Sequence, residues 1–247
     1  MLTLEPLNTS YDEEKALSAV SDALDNFYES LTEKLNSVNL NKVLKRKNPY
    51  LYRAKGINNA TQVVDSILSA FVSSSEETIF GNTFFEPIAI IMSGGQKAVT
   101  EGVDITVDKD NTIYSIAVKS GTSVFNADSR KRQEQNFQAA QKRAQQAHRA
   151  FMPIVGYGYG IKKTSPQNER FYIELAGKDF WEWLTGDSCF YTKIIDYMGH
   201  KPDTFATTFE ESYSKALNRM VRDFTLNYCK EDGSIDWAKL IAYNSGS

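Results

Sequence analysis

A chain of 247 residues with 41% hydrophobic content can bury a substantial core, so one large domain with appended helices is expected. The formal net charge of -3 argues against a protein that coats polyanions indiscriminately, while leaving room for a local basic groove. Two cysteines, Cys189 and Cys229, and two histidines, His148 and His200, argue against a disulfide framework and leave little material for a zinc site or a Ser/His/Asp triad. No run of about eighteen apolar residues exists to span a membrane, and MLTLEPLNTSYDEE has neither the basic nor the apolar region of a signal peptide.

From Tyr11 to about Leu35, the spacing of Ala16, Val20, Ala23, Leu24, Phe27, Leu31 and Leu35 predicts an amphipathic helix. The next stretch, NKVLKRKNPYLYRAKG, gathers Lys42, Lys45, Arg46, Lys47, Arg53 and Lys55 around Pro49, Tyr50 and Tyr52. Cations interleaved with aromatics can hold phosphates and stack on bases, and a solvated loop anchored by two tyrosines would look the same. Asn59 can cap a helix running through Val63, Val64, Ile67, Leu68 and Phe71. Ser73 and Ser74 stand at capping-box spacing from Glu76 and Glu77, which gives both acids a structural reading. Glu86 lies in the apolar segment FFEPIAII, where an acid is costly to bury alone and where Pro87 can start or kink a helix.

The stretch from Glu101 to Gly121 alternates apolar and polar residues on either side of a DKDN turn, the pattern of a half-buried β-hairpin. Val103, Ile105 and Val107, with Tyr114, Ile116 and Val118, form the expected core face; Asp104, Thr106, Ser115, Ala117 and Lys119 share a small, polar face. With a loop from Lys109 to Thr112, Asp104 sits opposite Ala117 and diagonal to Lys119. A helix follows from Asp128 to Ala150. It carries Arg130, Lys131, Arg132, Lys142, Arg143 and Arg149 against only Asp128 and Glu134, a balance suited to a phosphate backbone. MPIVGYGYG then reads as a buried strand joined by a crossover, RFYIELAG as a further strand, and the chain from Lys178 as mostly helical, with a long helix from Thr208 to about Cys229.

An aspartate and a lysine on adjacent strands are also what a surface salt bridge looks like. Their chemistry nevertheless suits phosphodiester hydrolysis, in which an aspartate binds Mg²⁺ beside a substrate phosphate and a lysine positions the attacking water. EGVDITV followed by IAVKSG resembles the D-x(n)-(D/E)-x-K signature of the PD-(D/E)XK nuclease superfamily. Together with NPYLYRAKG, SSSEETIFG, VGYGYG and GKDFWEWLTGD, it is similar to type II restriction endonucleases of the PmeII-type group. The resemblance implies an α/β restriction-endonuclease-like core with a central mixed β-sheet flanked by helices, plus helical N- and C-terminal additions. It also implies Mg²⁺-dependent cleavage of double-stranded DNA by a homodimer at a palindromic site, in the cytoplasm. The single nuclease domain, 1–247, would comprise a helical and basic region (1–58), the catalytic core (59–176) and a mostly helical region (177–247).

Carried over by position, the resemblance makes Asp104 the metal-binding aspartate and Lys119 the catalytic lysine; Ser120 and Ser115 are further expected polar contacts at the scissile phosphate. Ala117 departs from it, standing where the motif has Asp or Glu. Two readings stay open: an acid supplied by a helix, or a carboxylate removed by substitution. Glu86, then Glu77, then Glu134 are the candidates for the missing acid, the first two also as metal ligands; Glu101 points to the opposite face. Lys45, Arg46, Lys47, Arg53, Arg130, Lys131, Arg132, Lys142 and Arg143 are the expected DNA contacts. A nuclease of another role in the same superfamily, acting in repair or recombination, and a catalytically dead DNA-binding module are the alternatives.

Overall fold

Residues 4–162 and 171–246 are described by the computed structural model. The first expected helix is α1 (Glu13–Ser37), and its stripe of Ala16, Val20, Ala23, Leu24, Leu31 and Leu35 is buried. The basic stretch that follows is not an irregular loop. It folds into two short helices, α2 (Leu40–Leu44) and α3 (Pro49–Ala54), because Asn39 and Asn48 accept the first free backbone N–H groups from Lys42 and from Tyr50. Asn59 caps α4 (Ala60–Phe80) as expected, through the Gln62 N–H at 2.9 Å. That helix continues through Ser73 and Ser74, so no capping box forms there. Instead the Ser74 carbonyl accepts from the Thr78 hydroxyl, and Ser75 bonds back to the Phe71 carbonyl, the usual use of hydroxyls inside a helix. A π-helical turn (Gly81–Phe85) leads into α5 (Glu86–Ser93), which Pro87 starts.

The predicted hairpin is formed by β2 (Ile105–Lys109) and β3 (Thr112–Lys119), in the register Ile105↔Ile116 to Lys109↔Thr112. Asp110 and Asn111 turn the chain with φ of 47° and 61°, the left-handed pair whose twist suits a two-residue hairpin loop. Strand β1 (Gln96–Lys97) adds antiparallel to β2. After α6 (Ala127–Gln146), strand β4 (Ala150–Tyr157) returns parallel to β3, and β5 (Ile173–Ala176) lies parallel to β4. The result is a mixed α/β sheet in the order β1-β2-β3-β4-β5, the fold class read from the sequence.

One expectation fails here. The hairpin face expected to be small and polar is covered, because the parallel pair β3–β4 needs a crossover helix and α6 lies over it. Ala117 is therefore fully buried, in a cluster with Phe137 and Ala140 of α6 and Val155 of β4, and Ser115 is buried on the same face.

The chain divides into two compact units. One comprises Met1–Phe27 and Phe80–Lys201 and holds the sheet, α5, α6, α7 (Lys178–Thr185) and α8 (Phe190–Met198). The other comprises Tyr28–Ile79 and Pro202–Ser247. Its core joins Leu44, Val63 and Ile67 to Met220 and Phe224 of α9 (Lys201–Tyr228) and Leu240 of α10 (Trp237–Ser245). The long C-terminal helix thus begins at Lys201 rather than Thr208. No described helix is long and apolar enough to cross a membrane.

Gly156 of β4 lets α7 approach the sheet, since a Cβ at this position would lie 2.0 Å from the ring of the fully buried Phe180. Gly156→Ala is expected to destabilise the fold by about 1–3 kcal/mol, as overpacking does. The thermal midpoint would fall by several degrees, and an unchanged midpoint would show that the ring moves aside freely.

Candidate active site

Asp104 enters the sheet from a tight turn in which the Val103 N–H donates to the Thr100 carbonyl and Gly102 has φ +70°. Helix α6 holds this turn. Gln133 donates to the Gly102 carbonyl at 2.7 Å, Arg143 donates to the Thr100 hydroxyl at 3.0 Å, and Arg132 pairs with Glu101. From that anchored turn the Asp104 N–H joins the ladder by donating to the Ile116 carbonyl. Its carboxylate then reaches across to β3, where Oδ2 accepts from the Val118 N–H at 2.6 Å and from Lys119 Nζ at 3.2 Å. Lys119 also donates to the Val118 carbonyl at 3.0 Å. Both side chains keep contact with solvent, Lys119 at 27% and Asp104 at 20% exposure, so a substrate oxygen can reach them. The diagonal contact expected from the strand spacing is present.

Ser120 follows Lys119 at the end of β3 and packs against the π-helical turn; a Cβ on Gly81 would come 2.3 Å from its Oγ, a closeness that glycine permits. Glu86, at the start of α5, is paired with Lys97 of β1 at 3.3 Å and is 20% exposed. Lys97 faces Ile105 in the β1–β2 pairing, and the next residue, Ala98, donates to the Asp104 carbonyl, so Glu86 is tied through Lys97 to the strand next to β2. Glu134 is partly buried on α6. Glu77 is exposed on α4, in the other unit. Among the described residues no group of three or more His, Cys, Asp or Glu is gathered closely enough to hold a metal. The donors present are nevertheless oxygen, and one or two protein carboxylates are what Mg²⁺ ordinarily takes beside phosphate and water. Asp104 offers one such carboxylate, with one oxygen already held by the Val118 N–H and Lys119.

A buried acid not anticipated from the sequence lies on the same sheet face. The pairings Ala117↔Val155 and Val155↔Glu174 place Glu174 in line with Ala117, two strands away. Glu174 is 1% exposed; its Oε1 accepts from the Tyr157 hydroxyl at 2.6 Å and from Lys162, and lies 3.6 Å from Arg130. Burial, then the hydrogen bond to Glu174, pushes the Tyr157 hydroxyl above its ordinary value, so it stays a neutral donor. Tyr157 pairs in register with Lys119 and thus links this cluster to the exposed one. The signal for Glu174 is an acid inside the apolar run YIELA, the same reasoning that singles out Glu86.

The expected DNA contacts divide by what they already touch. On α6, Arg130, Arg132 and Arg143 are engaged within the protein, while Lys131 and Lys142 are exposed. In the helical unit, Lys45 lies over the Tyr243 ring, and Arg53 lies over Trp237 and bonds Asn58. Arg46 and Lys47 line a cleft.

The family model described as Type II restriction endonuclease EcoO109I matches residues 14–205, most of the chain. Among curated proteins, none matches it.

Because the buried Glu174 pairs with Lys162 and accepts from Tyr157, Glu174→Ala is expected to cost about 3–5 kcal/mol, the usual consequence of removing one member of a buried pair. Glu174→Gln, which keeps an acceptor for Tyr157, should cost less. Denaturant midpoints check both, and wild-type stability in Glu174→Ala would show the cluster to be solvated.

Proposed function

The chain belongs to the type II restriction endonuclease EcoO109I family, and from that premise we propose that it hydrolyses double-stranded DNA at a specific palindromic site, as a Mg²⁺-dependent homodimer acting in the cytoplasm. The observation that carries the reading is the partly exposed Asp104–Lys119 contact at the end of β3. Asp104 and Glu86 would hold Mg²⁺, which supplies positive charge to the phosphate oxygens when bound. The Val118 N–H fixes the Asp104 carboxylate, so its orientation is set before substrate arrives. Lys119 Nζ, restrained by Asp104 and the Val118 carbonyl, orients the attacking water and stabilises charge developing on the phosphate. Ser120 adds a polar contact at the same strand end. For Glu86 to act, its pairing with the largely exposed Lys97 must exchange, an inexpensive change for a surface ion pair.

The burial of Ala117 beside Phe137 and Ala140 supports reading it as a native core residue, with the second acid supplied by a helix. The kinship with the PmeII-type group rests on the motifs alone. A second reading, a DNA-binding module without cleavage, is favoured by one observation: an alanine occupies the motif's acid position. A repair or recombination nuclease of the same superfamily would differ in acting only on branched or damaged DNA.

Digestion of unmodified plasmid should give discrete fragments with Mg²⁺ and none with chelator. Asp104→Ala and Lys119→Ala should each slow cutting by at least about 100-fold, and wild-type rates in both would sink the site assignment. Ala117→Glu should lower stability by at least about 2 kcal/mol, since it buries a carboxylate, and bring no gain in cutting. A faster Ala117→Glu would identify this position as the motif's acid.

A further inference from the structure

The helical unit contains a cleft of about 520 Å³ between the end of α1, α2 and α4. Lys34, Lys42, Arg46 and Lys47 reach it from one side, and Ser74 and Thr78 of α4 from the other. Among the described residues no carboxylate lines it. Among those same residues none of the four cations has an ion-pair partner, and Lys34, Lys42 and Arg46 are exposed. On α6, by contrast, three of the arginines are tied to polar or acidic groups, whereas in the cleft the one side-chain engagement of a cation among the described residues is that of Lys34, over the Phe71 ring. Four like charges gathered without a counter-ion repel one another, and a solvated face would ordinarily intersperse acids among them.

We propose that this cleft is a phosphate-backbone site for duplex DNA, a second contact separate from the cleavage residues; the proposal rests on the DNA-cleaving reading above. Four cations exceed the charge of a single phosphate ion and match two or more phosphodiesters of an extended polyanion. The hydroxyl of Ser74 can donate to a phosphate oxygen, as such side chains commonly do at nucleic-acid backbones, whereas that of Thr78 donates to the Ser74 carbonyl. Since backbone contacts carry no sequence information, the cleft contributes affinity and register on the duplex rather than choice of site.

The test is fluorescence anisotropy of a labelled duplex with the full chain in chelator, which separates binding from cleavage, over a series of salt concentrations. Lys42→Glu/Arg46→Glu/Lys47→Glu should weaken binding at least about tenfold and flatten the slope of log affinity against log salt by about 0.9 for each phosphate no longer neutralised. The weakening should be equal for a cleavable plasmid fragment and for an unrelated duplex. If the triple variant melts below the wild type, Lys34→Gln and Lys42→Gln singly should each flatten the slope by about one. Unchanged affinity and slope, in a wild-type chain that binds and cuts DNA, would overturn the cleft while leaving the nuclease reading intact. A wild-type chain that binds but does not cut would count against the nuclease reading alone. Calorimetric binding of inorganic phosphate that the variant abolishes, without any change in DNA affinity, would mark a small-anion site and overturn the proposal.

Discussion

The parallel pairing of β3 with β4, running from Thr112↔Ala150 to Lys119↔Tyr157, is the constraint on which the sheet unit depends. Parallel neighbours cannot be joined by a turn, so the chain must leave the sheet and return, and α6 is the excursion. Covering the sheet with α6 buries Ser115 and Ala117, and the same helix grips the Thr100–Gly102 turn through Gln133 and Arg143. That turn sets where Asp104 begins its strand. The geometry of one carboxylate therefore traces back, through a helix, to strand pairing one position over in the sheet.

Local patterns in the sequence reach a long way into this fold. The alternation around Asp110-Asn111 locates the hairpin, and its register places Asp104 diagonal to Lys119, the contact observed. Asn59 as a cap and Pro87 as a helix start are also legible, since each acts on its immediate neighbours. Which surfaces meet at a distance is not legible in the same way. Period-two alternation identifies two faces of a strand but not whether both are covered, so it assigns Ala117 to an open face that α6 in fact closes. Serines at capping-box spacing mark a helix start only if the chain is not already helical, and α4 is. Glu174 is conspicuous as an acid in an apolar run, but its partners Tyr157, Lys162 and Arg130 come from separate segments and are not legible in the same way.

Electrostatics in this protein follow burial. Glu174 is buried and surrounded by donors, as an acid in an apolar strand must be. Asp104 and Lys119 are mostly covered but keep contact with solvent, so their attraction is screened more than that of a fully buried pair. The basic face of α6, conspicuous in the sequence, is largely occupied in holding the protein together. The cations of the cleft lie instead where two short asparagine-capped helices follow α1. Counting charges along a helix thus overstates what that helix can offer to a ligand.

Each unit is assembled from two stretches of chain that are far apart in sequence. During synthesis the sheet unit has all its residues once Lys201 has emerged, whereas the helices of Tyr28–Ile79 still lack α10 and nearly all of α9. Until Met220, Phe224 and Leu240 arrive, the apolar sides of Val63, Ile67 and Leu68 have no complete core to enter. Ribosomal order therefore imposes a waiting period on the earlier helices, and contacts of such long sequence separation form slowly. The residues that close the second core thus lie more than 150 positions along the chain from Val63, Ile67 and Leu68.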